Sequence, residues 1–261
     1  MWQARRLTDK SEILAFLEND RWYAAYAIGD LESGFFDQCQ WYGAEANGDL
    51  RSLAMLFTAL QPPILFVMGE IPGLSVILGS ALRPPQVYTN CRQEHLPAVS
   101  AFYNLGEAEL MLRMVLRPND FRPLPGEVIR LSPAYTKELE RLYSMGKGNA
   151  FSPYQVAQGV FYGVQKKGRL IATAGTHVVS PTYGIAAVGN VFTDPLHRRR
   201  GYGTICTSAV VKELLARRMD VVLNVSATNT TAIHIYERLG FRTYCHVTEV
   251  VGMRRGSHRG Q

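Results

Sequence analysis

The chain has 261 residues, 47% hydrophobic and 19% charged, with a net charge of +6. That balance supplies a buried core and excludes an extended disordered chain, and no apolar run reaches the ~18 residues of a membrane-spanning helix. Much of the positive excess sits at Arg198, Arg199 and Arg200 and in the tail Arg254-Arg255-Gly256-Ser257-His258-Arg259. No basic stripe with interleaved aromatics accompanies it, so nucleic acid is not an expected partner. Cys39, Cys91, Cys206 and Cys245 are scattered; without a CxxC or His/Cys cluster they read as buried thiols, and no metal is expected. The start, MWQARRLTDKSE, lacks the apolar stretch of a signal peptide. Together these features lead us to expect a cytoplasmic protein.

In chain order, residues 10–32 read as a helix with Ile13, Leu14, Phe16, Leu17, Trp22, Tyr23 and Tyr26 on its apolar face, broken at Gly34. Residues 35–60 alternate as strands around Asn47-Gly48, a strong hairpin signal. A strand at 64–68, a short helix at 73–82 and a strand at 86–90 follow, then a helix at 94–105 stopped by Gly106 and a strand at 109–116. Residues 117–126, RPNDFRPLPG, carry three prolines and a terminal glycine and read as a linker. Beyond it we expect a strand at 127–131, an amphipathic helix at 134–145 and a loop at 146–149. An antiparallel meander at 160–165, 169–179 and 183–193 comes next, with turns at Lys167-Gly168 and Ser180-Pro181.

The stretch 189–203, GNVFTDPLHRRRGYG, then places a strand, a basic glycine-rich turn and a helix start in succession. Such a turn makes an anion site, because glycine lets backbone approach a ligand and the first N–H groups of a helix point outward. Arginines add fork-shaped donors. The pattern is neither GxxxxGK-S/T nor GxGxxG. The helix 204–218 carries Cys206, Val210 and Leu214 on one ridge with Ile205 and Ala209 beside it, and a short apolar strand at 219–225 follows. After it, Asn229, Ala232, Ile235, Tyr236 and Leu239 step at helical spacing, with Asn229 or Thr230 able to cap the start and Gly240 the end. A strand at 241–251 closes the chain.

These two stretches resemble the signatures of the GNAT superfamily of acyl-CoA N-acyltransferases. Arg198, Gly201 and Gly203 fill its pyrophosphate pattern Q/R-x-x-G-x-G/A, and Asn229, Ala232, Tyr236, Gly240 and Phe241 fill the later pattern N-x-x-A-x-x-x-Y-x-x-x-G-F. The resemblance covers roughly residues 127–253. It implies an α/β (α+β) GNAT fold: a mixed, mostly antiparallel sheet flanked by helices, splayed open at the strand ending in Thr193. It also implies acetyl-CoA as cosubstrate. Val191, Phe192 and Thr193 would then present backbone to the pantetheine arm. Arg198, Arg199, Arg200, Gly201, Tyr202, Gly203 and Thr204 would wrap the pyrophosphate, and Asn229 would reach the pantetheine or thioester.

The first half faintly repeats the second: Ala98 falls on Ala232, Phe102 on Tyr236, Leu105 on Leu239, Gly106 on Gly240 and Leu116 on Val250. No RxxGxG lies near 66–73. We therefore expect a degenerate GNAT-like domain at 1–117 lacking the CoA motif, a linker at 118–126 and a catalytic GNAT domain at 127–261.

Acyl transfer to an amine needs a polarised carbonyl, a neutral amine and a proton for the leaving thiolate. No nucleophile motif such as GxSxG is present, in keeping with direct attack. Tyr236, a phenol of ordinary pKa about 10, is the candidate general acid. Many GNAT relatives carry a basic Glu on the central strand, but 183–193 holds no carboxylate. His177 on the preceding strand is the substitute candidate; a chain of waters or an amine arriving neutral would need no base. A cover built from 146–158, with Phe151 and Tyr154 and no acidic run, favours a small-molecule amine over a protein tail. A peptide lysine or N-terminal acetyltransferase and a silent acyl-CoA sensor are the alternatives, and a monomer and a homodimer both stay open.

Overall fold

The computed structural model describes residues 1–146 and 151–256. The loop expected at 146–149 lies, past Gly146, outside the described residues, as does the tail from Ser257. The chain forms two compact units: Met1–Leu112 together with the chain from Cys245 onward, and Arg113–Tyr244.

The first unit opens with β1 (Trp2–Leu7), antiparallel to β2 (Cys39–Ala46). The helix expected over 10–32 is broken. α1 (Lys10–Leu17) runs into a 3-10 turn at Glu18–Asp20, and α2 (Ala25–Gly29) restarts after it. Asn19 and Asp20 compete for backbone groups there: Asn19 Nδ2 donates to Phe16 O at 3.0 Å, and Asp20 Oδ1 accepts from Tyr23 N at 3.3 Å. Gly34, expected as a stop, lies within α3 (Ser33–Phe36). Asn47 and Gly48 take φ of 55° and 86°, as a two-residue hairpin turn requires, and join β2 to β3 (Asp49–Phe57).

β4 (Ile64–Gly69) lies antiparallel to β3. α4 (Ile71–Val76), prolonged by a π-helical turn to Ala81, crosses to β5 (Gln86–Cys91), parallel to β4. α5 (Leu96–Ser100) ends well before Gly106, which sits inside β6 (Tyr103–Leu116). Tyr103 draws the chain into the strand: its ring is fully buried and its hydroxyl donates to Pro84 O at 3.1 Å. Gly106 therefore does not cap a helix as Gly240 does, and Phe102 lies beyond the helix rather than at the place of Tyr236. The core gathers Leu65, Val67, Leu74, Ile77, Leu78, Val87, Val99 and Tyr103, each such aliphatic side chain worth about 1.5–3 kcal/mol on burial.

The second unit takes in β7 (Ile129–Arg130), α6 (Thr136–Tyr143), α7 (Pro153–Gln158), β8 (Tyr162–Lys166), β9 (Arg169–Ser180), β10 (Ile185–Thr193), α8 (Tyr202–Ala216), β11 (Asp220–Ser226) and α9 (Thr230–Leu239). β7 to β10 pair antiparallel in succession, and β10 pairs parallel with β11. Leu131, Leu139, Leu142, Phe161 and Leu170 fill its core. The linker is tied down: Arg122 N donates to Leu239 O at 3.0 Å, and Leu124 N to Ser208 Oγ at 2.9 Å.

Apart from α3, the second half repeats the first element for element, with the same sequence of antiparallel and parallel neighbours. The closing strands are exchanged between the halves. β12 (Arg242–Arg254) follows α9 in the chain, yet pairs with β5 of the first unit, from Thr248↔Cys91 to Met253↔Gln86. β6 follows α5, yet its last residues belong to the second unit, where Arg113 Nε donates to Asn224 Oδ1 at 2.6 Å. The stretch 127–261, expected as one domain, thus gives its final strand to the first unit.

Candidate active site

β10 is the strand that shapes the site. Its register with β9 shifts twice: between Ala187↔Val178 and Val188↔Thr176, where His177 is the extra residue of β9, and again between Gly189↔Gly175 and Phe192↔Thr173. One more residue lies on β10 than on β9 in the second interval, so the strand bulges. Asn190 occupies the bulge at φ 53°. It is pinned on several sides: Tyr143 Oη donates to its carbonyl at 2.7 Å, and its Nδ2 donates to Gln155 Oε1 at 3.3 Å and Thr176 O at 3.4 Å. Beside the bulge Gly189 makes room for His177, since a Cβ there would fall 1.8 Å from the imidazole Cδ2 and 2.0 Å from Nε2. Surrounding atoms crowd the ring and lower its pKa from the ordinary histidine value by desolvation, although part of its surface stays open to solvent. A neutral imidazole at pH 7 follows.

Pairing of β10 with β11 stops at Val188↔Leu223, while both strands run on. The sheet is split beyond that point. The turn after β10 returns over its end. Gly201 caps α8 at φ 79° with open space where a side chain would stand, and Arg199 also takes a positive φ of 61°. Gly203 brings the helix start against the strand: a Cβ on it would lie 3.2 Å from Thr193 Oγ1 and 3.7 Å from Val191 Cγ1. Arg198 Nε donates to Thr193 O at 3.3 Å, and its guanidinium stands 5.8 Å from the Phe192 ring centroid. The first N–H groups of α8 have no carbonyl of their own helix to meet. A pantetheine arm would fit the split, and a pyrophosphate the helix start.

α9 begins beyond the split. Asn229 Oδ1 accepts from Ala232 N at 3.1 Å as its cap, and Gly240 ends it at φ 102°. Gly240 is needed twice over, since a Cβ would also strike Asp120 O at 2.0 Å. Tyr236 is 8% exposed, its ring 5.9 Å from that of Phe241 and edge-on. The structure therefore joins 191–193 to 198–204, sets His177 on β9 beside the β10 bulge, and places Asn229 and Tyr236 on one helix. On the cover, Phe151 packs 5.1 Å from the Tyr143 ring, whereas Tyr154 is exposed.

Residues 161–251 match the family described as FR47-like protein. A mycothiol acetyltransferase of Tsukamurella paurometabola is 37% identical over 75 residues, 28% of this chain and 26% of that protein. The ribosomal protein bS18 alanine N-acetyltransferase of Escherichia coli is 30% identical over 103 residues, 39% of this chain and 62% of that protein. Over residues 161–251 the chain is thus similar to acetyltransferases, and its fold is that of the GNAT structures. The chain spans less than two thirds of the length of either curated relative. A tandem GNAT protein from the clavulanic acid biosynthesis pathway has the same fold over 99% of this chain and 100% of its own, with a TM-score of 0.59 at 10% identity.

Burial pushes the Cys206 thiol up to about 12 and leaves it almost no thiolate at pH 7. Among the described residues no group of His, Cys, Asp and Glu side chains is arranged to hold a metal, and no helix is long and apolar enough to cross a membrane. Sequence reasoning placed Asn190 on the strand ending in Thr193 without its bulge, and missed the parts of Gly189, Tyr143 and Gln155. A glycine followed by asparagine inside a strand was the available signal. It also missed Lys166, whose ammonium stands 4.9 Å from the Tyr202 ring centroid and which no motif marks.

Proposed function

We propose that this protein is a cytoplasmic acetyl-CoA-dependent N-acetyltransferase acting on the primary amine of a small molecule by direct attack. The observation that carries the reading is the split of β10 from β11 past Val188, with the Gly201–Gly203 helix start closing over the strand end. Acetyl-CoA, when bound, supplies the activated acetyl group. Val191 to Thr193 offer backbone to its pantetheine arm. Arg198 to Thr204 hold its pyrophosphate, and the α8 dipole adds to the attraction. Asn229 reaches toward the thioester end.

The bulge at Asn190, fixed by Tyr143 and Gln155, sets the acceptor against the acetyl carbon. His177, neutral at pH 7, takes the proton of the attacking amine. Tyr236 gives its hydroxyl proton to the departing thiolate. The first half serves as a GNAT-like partner without a cofactor loop, since Gly69-Glu70-Ile71-Pro72 after β4 offers a carboxylate where β10 is followed by arginines.

The two curated relatives are named for a small-molecule and a protein substrate. Phe151 and Tyr154 on a cover without an acidic run support the small-molecule choice here. A screen of free amino acids, aminoglycosides, polyamines and short peptides for acetyl-CoA-dependent thiol release tests the reading. Turnover with small amines is expected; turnover with peptides alone would refute the acceptor class. Tight CoA binding with no turnover on any amine would refute the enzyme.

A further inference from the structure

The second unit holds a cleft of about 790 Å³ on the β9 side of the β10 end, apart from the split. Its walls are the turn from β8 to β9 (Lys166, Lys167, Arg169), the end of α6 (Arg141, Met145) and the turn after β10 (Pro195, Leu196, His197). The lining is cationic and apolar together. Leu196 is 83% exposed and Met145 42%, an unusual display for side chains that could have turned inward. The single lining carboxylate, Asp194, is already engaged: one oxygen accepts from Leu196 N at 2.9 Å and the other meets His197 Nδ1 at 3.4 Å. Arg141 is held by Glu138 and by Leu170 O. Among the described residues no salt bridge engages Lys166, Lys167 or Arg169, and of the three only Arg169 feels a carboxylate, that of Glu138.

Lys166 joins this cleft to the helix start. Its ammonium stands 4.9 Å from the Tyr202 ring centroid, and hydrogen bonding from Lys166, followed by its charge and that of Arg200, lowers the Tyr202 phenol below its ordinary pKa. Lys166, Arg200 and the Tyr202 hydroxyl therefore converge next to Gly203. Such a gathering of cationic donors suits a dianionic phosphomonoester better than a diester or a carboxylate, because the monoester offers more charge and three free oxygens. An apolar floor beside it suits a flat ring.

We propose that Lys166, with Lys167 and Arg169, is a phosphomonoester subsite that takes the 3′-phosphate of the cosubstrate, turning its adenosine end toward the β8–β9 turn. This rests on the acetyl-CoA reading above. CoA is the one ligand of that reading with a monoester phosphate close to its pyrophosphate. The subsite makes the protein discriminate CoA from 3′-dephospho-CoA.

The test is a cycle of two deletions, one in the protein and one in the ligand, read by calorimetry. Lys166→Ala and the Lys167→Ala/Arg169→Ala pair are titrated with CoA and with 3′-dephospho-CoA. All three side chains are exposed, and a thermal melt checks that the fold is intact. Affinity for CoA should fall about 10- to 100-fold in Lys166→Ala, the scale of a lost charge-assisted hydrogen bond, while affinity for 3′-dephospho-CoA stays put. Lys166→Arg should retain most of the discrimination. Equal losses on both ligands would overturn the subsite, as would no loss on either. A wild-type protein that binds neither ligand would instead overturn the acetyl-CoA reading itself.

Discussion

Gly189→Ala tests the placement of His177 without removing it. The added Cβ would lie 1.8 Å from Cδ2 and 2.0 Å from Nε2 of the imidazole. Carbon atoms in contact stand about 3.5–4.0 Å apart, so the ring must retreat by about 1.5–2 Å. Misplacing a catalytic group by about 1 Å costs roughly 10²-fold in rate, and kcat should fall by at least that factor. Folding should hardly notice. An off-rotamer side chain costs about 0.5–1.5 kcal/mol, and alanine in place of glycine at an allowed φ returns about 0.4–1 kcal/mol through the unfolded chain. Steady-state thiol release should show the drop in kcat with KM for acetyl-CoA unchanged, beside a melting temperature close to wild type. Retention of full kcat would refute the argument that the imidazole acts from where Gly189 lets it sit. A parallel collapse of stability would refute the claim that the site tolerates the ring's displacement.

Tyr236→Phe should lower turnover by about 10²–10⁴-fold with little change in CoA affinity by calorimetry; an unimpaired variant would remove Tyr236 as the proton source. Gly203→Val should abolish CoA binding, because a Cβ already meets Thr193 Oγ1 at 3.2 Å and the valine branches reach further into the space above the helix start. Binding of CoA to that variant at wild-type strength would place the pyrophosphate elsewhere. His177 carries a lowered pKa in the fold, so the folded state binds its proton less readily than the unfolded chain. Its contribution should weaken stability as pH falls through the unfolded value of about 6.5 and level off below the folded value. Urea unfolding of wild type and His177→Gln at pH 7.5 and pH 5 should show a smaller acid loss in the variant, and an identical loss would mean the imidazole titrates normally.

The parts of the fold written in local chemistry were legible. Asn47-Gly48 and Lys167-Gly168 are turns because their backbone must take positive φ; Gly240 ends α9 for the same reason, and Asn229 starts it through its side-chain cap. The helix over 10–32 misled because its apolar spacing continues across Glu18–Asp20, where side-chain competition for the backbone ends α1. Gly106 misled in the opposite sense: glycine reads as a helix stop, yet burial of Tyr103 had already committed the chain to a strand. That shift explains why the repeat is present in the order of elements although Gly106 does not correspond to Gly240. The loop at 198–204 and its glycines could be read from the sequence. The bulge could not, since register is a property of two strands, and neither could Lys166, which reaches Tyr202 from a distant turn.

The pairing of β12 with β5 bears on how the protein is made. During synthesis Gln86 to Cys91 leave the ribosome long before Thr248 to Met253 exist. At roughly 5–20 residues per second the interval is on the order of ten seconds or more. Through it β5 has one neighbour, β4, and presents a bare edge of N–H and C=O groups to the surrounding solution. The first unit, although earliest in the chain, is thus among the last parts to be finished, and its completion reports that the second half has been translated through its final strand.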